Sequence, residues 1–328
     1  MSEIKKFNNY LYSGLFFLLT LTQCVQAQET NSTQDQFINP GAIEITHPEQ
    51  FDRIIAISDV HGMKDHLVTL LQASKLIDEN LNWIAKNTLL VVVGDSIDKG
   101  TASLEVLDLW IALAKAASNN ESVLIHLLGN HEAEFLANPY NDKAVLFLAE
   151  LKEKGIALEE VTSAQYPRGR FLKSAPLALK IGGLIFSHAG FYPDMEWESF
   201  KLKASAVLNQ GNYNDPFLSA DDSILEMKKW DLMPKKRALM LARLDKYKLK
   251  GLVYGHQPNA MNIEGKVGRS IDGRFMKIDS GMSPEAGSHP GTMLLFPHPI
   301  DLVNEPLPQV KAILPSGEIT EIAVEGKN

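Results

Sequence analysis

Five short runs of metal-ligating residues follow one another along the chain. They are Asp59-Val60-His61-Gly62, Gly94-Asp95-Ser96-Ile97-Asp98-Lys99-Gly100, Gly129-Asn130-His131-Glu132, Ser187-His188-Ala189-Gly190 and Gly255-His256-Gln257-Pro258. Nearly every run comes directly after a short apolar stretch. That order sets Asp59, His61, Asp95, Asn130, His188 and His256 at the ends of separate strands, where they can converge on a pair of metal ions. Two adjacent ions can stabilise the attacking and leaving oxygens of an in-line displacement at phosphorus.

Each run taken alone is unremarkable. Asp59 and His61 are i and i+2 of an extended segment, so both side chains point one way and can reach one ion. Asp95 has two carboxylate oxygens and can bridge two ions. Gly94 and Gly100 let the backbone bend sharply around it. Asn130 offers a neutral carbonyl oxygen, while the adjacent His131 points elsewhere and could serve as an acid. His188 and His256 each close a strand beside Gly or Ala; a lone histidine there is usually structural. The joint pattern, in fixed order and with nearly equal steps from Asp59 to Asp95 and from Asp95 to Asn130, is what carries the metal reading.

Elements must position these groups. Short Val/Ile-rich runs predict strands over 53–58, 89–93, 123–128, 177–181, 184–187, 251–254, 275–278 and 293–296. Gly182-Gly183 reads as a hairpin turn between the fourth and fifth of these. Apolar spacing predicts helices over 64–78, 101–117 and 144–154. Early alternation of strand and helix argues for βαβ units, and the strand-rich second half argues for a mixed sheet. An α/β fold built as a four-layer α/β/β/α sandwich fits both halves. Residues 194–250 read differently: polar or helical, broken by Pro216 and Pro234, with a basic stretch over 228–250. They are expected to form a helical insertion lying over the site. Within the main domain, 51–300, they lack the apolar residues to close a core of their own. Residues 301–328 are expected to add a terminal hairpin, 309–314 and 319–324, across Pro315-Ser316-Gly317-Glu318.

The N-terminus reads as a secretory signal over 1–27. Lys5 and Lys6 supply the positive end, 15–21 the apolar run, and Val25-Gln26-Ala27 the cleavage site. The expected location is therefore periplasmic or secreted, with no membrane span in the mature chain. Cys24, the only cysteine, opens a lipoprotein alternative that the large preceding Gln23 disfavours. Cleavage after Ala27 leaves no cysteine, so a cysteine-nucleophile mechanism is excluded and no disulfide supports the core. Polar residues over 28–50 read as a flexible linker. Net charge is −8, with no basic face for nucleic acid.

The set of runs resembles the calcineurin-like metallophosphoesterases over roughly 51–297. More narrowly it resembles the phosphoprotein phosphatase branch. Asp279-Ser280-Gly281-Met282-Ser283 and Pro167-Arg168-Gly169-Arg170 are similar to stretches of the Shewanella-like protein phosphatases. The resemblance implies Asp59, His61 and Asp95 on a first metal, Asp95 bridging, and Asn130, His188 and His256 on the second. A water or hydroxide shared by the ions would attack phosphorus. His131, oriented by Asp98, would protonate the leaving alcohol. Lys99 stands where the family usually has Arg and lacks the bidentate fork, so phosphate clamping is expected to shift toward Arg168 or Arg170. The ligands suit Mn, Zn or Fe, with export favouring Mn or Zn. The implied activity is that of a phosphomonoesterase acting on a phosphorylated protein or a small phosphomonoester; phosphotyrosine is one residue type the resemblance allows, and the sequence leaves the choice between tyrosine and serine or threonine open. A symmetrical dinucleoside tetraphosphatase and a non-catalytic metal- or phosphopeptide-binding protein remain as alternatives.

Overall fold

Alternation within single strands decides the layering. The computed structural model describes residues 38–191, 195–297 and 309–326. In β2 (Arg53–Ile57) and β3 (Thr88–Val92), Ile54, Ala56, Leu89 and Val91 face one way. Ile55, Ile57, Leu90 and Val92 face the other, onto Leu67, Leu70 and Leu71 of α1 (Lys64–Ala73) and Val106, Trp110 and Leu113 of α2 (Ser103–Ser118). Both faces are apolar because both are covered, as a parallel sheet requires.

These strands belong to a six-stranded sheet. Its order is β12 (Ile319–Glu321), β11 (Lys311–Ile313), β10 (Met293–Pro297), β2, β3 and β4 (Val123–His126). β2, β3 and β4 are parallel and linked through α1 and α2, while β10 runs antiparallel to β2.

A seven-stranded sheet lies against its inner face. Its order is β1 (Ala42–Ile45), β5 (Ala178–Ile181), β6 (Leu184–Ser187), β7 (Gly251–Tyr254), β9 (Phe275–Lys277), β8 (Gly268–Arg269) and β13 (Ala323–Val324). Leu179, Ile181, Leu184, Phe186, Val253 and Met276 meet Ile54, Val91, Leu294 and Phe296 between the sheets. On its outer face Ile185, Leu252, Tyr254 and Phe275 pack against Phe200, Ala204 and Leu208 of α7 (Trp197–Gln210) and Met240 and Leu244 of α9 (Pro234–Lys246). The result is helix, sheet, sheet, helix. A side cluster of Ile97, Leu107, Phe135, Phe147, Val161 and Leu172 joins α3 (Asn130–Ala137), α4 (Val145–Glu153), α5 (Glu159–Thr162) and α6 (Pro167–Ser174) to the edge of α2.

Three boundaries differ from expectation. The linker expected over 28–50 cannot run past residue 38. Ala42–Ile45 pairs with Ala178–Ile181, a partner too distant in sequence for local polarity to reveal. The turn into β1 is held by Asn39, which is buried. Its Nδ2 donates to the carbonyls of Lys173 (2.8 Å) and Ala175 (3.0 Å), and its Oδ1 accepts from Gly41 N at 2.8 Å. The segment expected to lie over the site mostly supplies the outer helical layer, with α7, α8 (Pro216–Ser219) and α9, while its Lys228 reaches the cavity beside His131 and His256. Phe217 and Leu225 are buried there, whereas Leu232 stays exposed. The terminal hairpin is not a separate extension. β11 and β12 join one sheet, then Ile322 is buried between the sheets and β13 pairs with β8 of the other. The signal segment, 1–27, lies outside the described residues. No described helix is long and apolar enough to cross a membrane.

Replacing Asn39 by Ala strands the buried carbonyl of Ala175 and the half-buried carbonyl of Lys173. We expect Asn39→Ala to lower stability by about 2 kcal/mol, read as a lower urea midpoint at unchanged slope. An unchanged midpoint would return this stretch to linker status.

Candidate active site

The ligand-bearing loops leave the C-terminal ends of β2, β3, β4, β6 and β7. The first two loops are zipped together by backbone bonds: Asp59 N to Gly94 O (3.1 Å), His61 N to Asp95 O (2.9 Å) and Gly62 N to Ser96 O (2.8 Å). To turn their side chains inward, Asp59, His61, Asp95, Asp98 and His256 take positive φ values of 53°, 46°, 55°, 65° and 66°. Such conformations cost energy in non-glycine residues and persist only where surrounding contacts impose them. Two glycines leave space for the approach. A Cβ at Gly129 would overlap Asp95 Oδ1, and one at Gly255 would overlap Ser58 and Asp59.

Glu132 imposes much of this geometry. It is fully buried, and its Oε2 accepts from Asp95 N (2.9 Å) and Gly129 N (3.0 Å) while Oε1 accepts from Ser96 N (2.7 Å). One carboxylate thus ties the Asp95 loop to the first turn of α3. Ser96 adds a second tie: its Oγ lies 2.8 Å from His126 Nε2 and accepts from Trp110 Nε1 at 3.0 Å. The sequence reading gave neither residue a role. The signal for Glu132 was available, since a Glu three residues after a helix N-cap commonly reaches back to the cap backbone.

All six expected ligands converge. His188 Nδ1 lies 2.9 Å from the Val93 carbonyl, which can only accept, so Nδ1 carries a proton and Nε2 faces inward. There Nε2 meets Asn130 Oδ1 at 3.0 Å, His256 Nδ1 at 3.1 Å and Asp95 Oδ2 at 3.3 Å. Asn130 Nδ2 donates to Glu134 Oε1 at 3.1 Å, which turns the amide oxygen toward the cluster. His61 is fixed likewise, with Nδ1 3.0 Å from Ile97 O and Nε2 3.6 Å from Asp95 Oδ2 and 3.8 Å from Asp59 Oδ1. Asp95 Oδ2 is common to both groups, as a bridging carboxylate must be.

The donor set fits two cations. So many lone pairs facing one another repel unless positive charge lies between them. The titration directions agree. Burial opposes the Asp95 charge, yet the imidazoles of His188, His131 and His61 hold its carboxyl well below the usual range. Burial pulls His188 down, but Asp95 and Asp59 overcome it and push the imidazole up to about 10. A proton there takes the place of a cation, and metal binding must release it. Burial holds His61 down to about 4, against the pull of Asp95. Burial, with His188 adding repulsion, takes His256 down to about 2. Both are therefore neutral and able to ligate. His256 Nε2 is buried without a hydrogen-bond partner.

His131 Nδ1 lies 2.8 Å from Asp98 Oδ2, and Nε2 lies 3.9 Å from Asp95 Oδ2. Burial, then Glu132 and Asp95 nearby, push the Asp98 carboxyl up to about 8. Burial holds the His131 imidazole well below its ordinary value. The dyad accordingly holds one proton between its two members at neutral pH. It borders a cavity of about 370 Å³ lined by Asp95, Lys99, Asn130, His131, Lys143 and His256, with Val145, Leu146 and Lys228 at its walls.

The expected phosphate clamp is corrected. Arg168 pairs with Asp108 through Nε (2.7 Å) and a terminal nitrogen (2.9 Å), and Arg170 Nε donates to Ala164 O at 3.1 Å. Neither lines the cavity, because α6 packs beside α2 rather than over the metal ligands. The cations at the cavity are lysines: Lys99, Lys143 and Lys228. Lys99 Nζ donates to His61 Nε2 at 3.0 Å, a place that charge compensation assigns to a cation.

A sequence profile of the calcineurin-like phosphoesterases matches residues 52–270. Shewanella-like protein phosphatase 1 of Plasmodium berghei (strain Anka) is 29% identical over 252 residues, covering 70% of this chain and 67% of that protein. Shewanella-like protein phosphatase 2 of Arabidopsis thaliana is 27% identical over 131 residues, covering 40% of this chain but only 29% of that protein. Among solved structures, a cold-active protein-tyrosine phosphatase of a psychrophilic Shewanella species superposes with a TM-score of 0.69. It is 20% identical, with 89% of this chain and 85% of that one covered, a likeness of fold.

Glu132→Gln would turn an amide donor toward backbone N–H groups. The expected result is a 10- to 100-fold loss of metal affinity, roughly the usual effect of removing a group that orients ligands. Calorimetric titration that finds wild-type affinity would remove Glu132 from this role.

Proposed function

The chain belongs to the calcineurin-like phosphoesterases and is a metal-dependent hydrolase of the phosphoprotein-phosphatase type; we propose that it is an exported phosphomonoesterase that acts on phosphotyrosine proteins. The observation that carries the phosphomonoesterase reading is the meeting of both ligand groups at Asp95 beside the His131–Asp98 dyad. Export is supported by the N-terminal pattern of Lys5, Lys6 and the apolar run that follows. The aromatic preference is supported by Val145 and Leu146, which are exposed yet line the same cavity as His131. An apolar wall there gains more from an aryl leaving group than from the short stem of serine.

Two divalent ions, Mn or Zn, held by Asp59, His61 and Asp95 and by Asp95, Asn130, His188 and His256, would supply Lewis acidity at the phosphoryl oxygens. The chain's own groups do the rest. Lys99 brings positive charge to the phosphoryl group as a mobile point charge. Asp98 fixes the His131 ring through Nδ1, so Nε2 faces the cavity and can give its proton to the leaving oxygen. The dyad's shared proton makes that donation available near neutral pH.

Hydrolysis of a phosphotyrosine peptide, a phosphoserine peptide and diadenosine tetraphosphate, with and without added Mn, tests the reading. Metal-dependent release from the phosphopeptides, fastest from phosphotyrosine, is expected. Release from the dinucleotide alone would replace the proposal with a tetraphosphatase. His131→Ala should lower kcat by roughly 10²- to 10⁴-fold with two ions still bound by calorimetry; loss of an ion would make His131 a ligand instead. The double change Val145→Ser and Leu146→Ser should cut the phosphotyrosine-to-phosphoserine ratio of kcat/KM about tenfold. An unchanged ratio would move the preference elsewhere.

A further inference from the structure

Among the described residues, Lys277 is the only buried lysine or arginine. It closes β9, opposite Tyr254 on β7. Taking an ammonium group out of water is costly, so the fold must give it partners. Nζ donates to the carbonyl of Pro258 at 2.5 Å and to the carbonyl of Asp279 at 2.8 Å. These carbonyls lie in two different loops. The first loop carries His256. The second follows β9, where Asp279 Oδ1 accepts from Gly281 N at 2.9 Å.

We propose that Lys277 is a positioning residue for the metal centre, tying the loop of His256 to the Asp279 loop and so holding His256 against His188. The inference rests on the two-ion reading of the site. The His256 loop needs such a tie. Its backbone is in the left-handed region at His256, a conformation that must be imposed from outside. Upstream, His256 N donates to both oxygens of Asp59 at 3.1 and 2.9 Å. In the middle, Gln257 Oε1 accepts from Lys229 N. Downstream, the side-chain tie is that of Lys277 to Pro258.

An apolar residue would fill the buried place without the desolvation cost, so the ammonium is retained for what it bonds. Its charge is kept as well. Burial pulls the amine down to about 8, while Asp279 and Asp59 pull it up.

The test is Lys277→Met in the full chain, titrated calorimetrically with Mn and with Zn beside a thermal melt of the metal-free protein. Lys277→Met should weaken the second ion by about 10- to 100-fold and leave the first within about twofold, so that stoichiometry drops toward one at limiting metal. A lower Tm with both affinities unchanged would make Lys277 merely structural and overturn the proposal. An equal loss at both sites would overturn it too, because the tie would not be specific to His256. Where Lys277→Met fails to fold, Lys277→Gln keeps a buried N–H donor on a stem too short to join both carbonyls, and the same selective loss at the second ion is expected. A wild-type chain that binds neither ion would defeat the two-ion reading itself, a result separable from the others.

Discussion

Mutual repulsion among lone pairs is the constraint around which this protein is built. His188 Nε2 has a carboxylate oxygen, an amide oxygen and another imidazole nitrogen within 3.3 Å. No solvated loop would hold such an arrangement, since each group would turn to water. The sandwich prevents that turning. Nδ1 of His188 is bound to the end of β3, Asp59 is pinned to the backbone of His256, and Asp95 is pinned by the carboxylate of Glu132. Cohesion of two sheets thus pays for an electrostatic arrangement that only cations relieve.

Backbone and charge serve the same end here. Asp59, His61, Asp95, Asp98 and His256 all take positive φ values, which the contacts around the site must impose. Gly129 and Gly255 supply the complementary economy, leaving out the atom that would separate neighbouring loops. Glu132 then converts three backbone N–H groups into a clamp on the loop of Asp95.

The sequence was most legible where chemistry is local. Strand ends are marked by Gly and by ligand-type residues, so the six residues that meet at the site and the His131–Asp98 pair are legible in the sequence itself. β6 and β7 fall at their predicted bounds because Gly182-Gly183, Gly251 and Gly255 frame short apolar runs. Legibility failed where partners are distant. Ala42–Ile45 is a strand only because Ala178–Ile181 is there to receive it, and polar neighbours made it read as linker. Arg168 was expected at the phosphate because of its charge, but its partner Asp108 lies on a helix whose packing no local pattern announces. β12 and β13 were merged in the reading because their assignment to opposite sheets turns on a single buried residue, Ile322.

The pairing of β10 with β2 has a temporal consequence. Leu294 lies beside Ala56, so the middle of the six-stranded sheet joins the two ends of the fold. Loop closure on that scale must be met before the contact rewards it, and topologies rich in such contacts fold slowly. Until β10 arrives, β2 is a bare apolar edge, and edges of that kind invite pairing with other chains. The nascent chain therefore passes through a long interval in which it is competent to be held unfolded or to aggregate, and its ligands, drawn from loops between Asp59 and His256, come together only at the close of that interval.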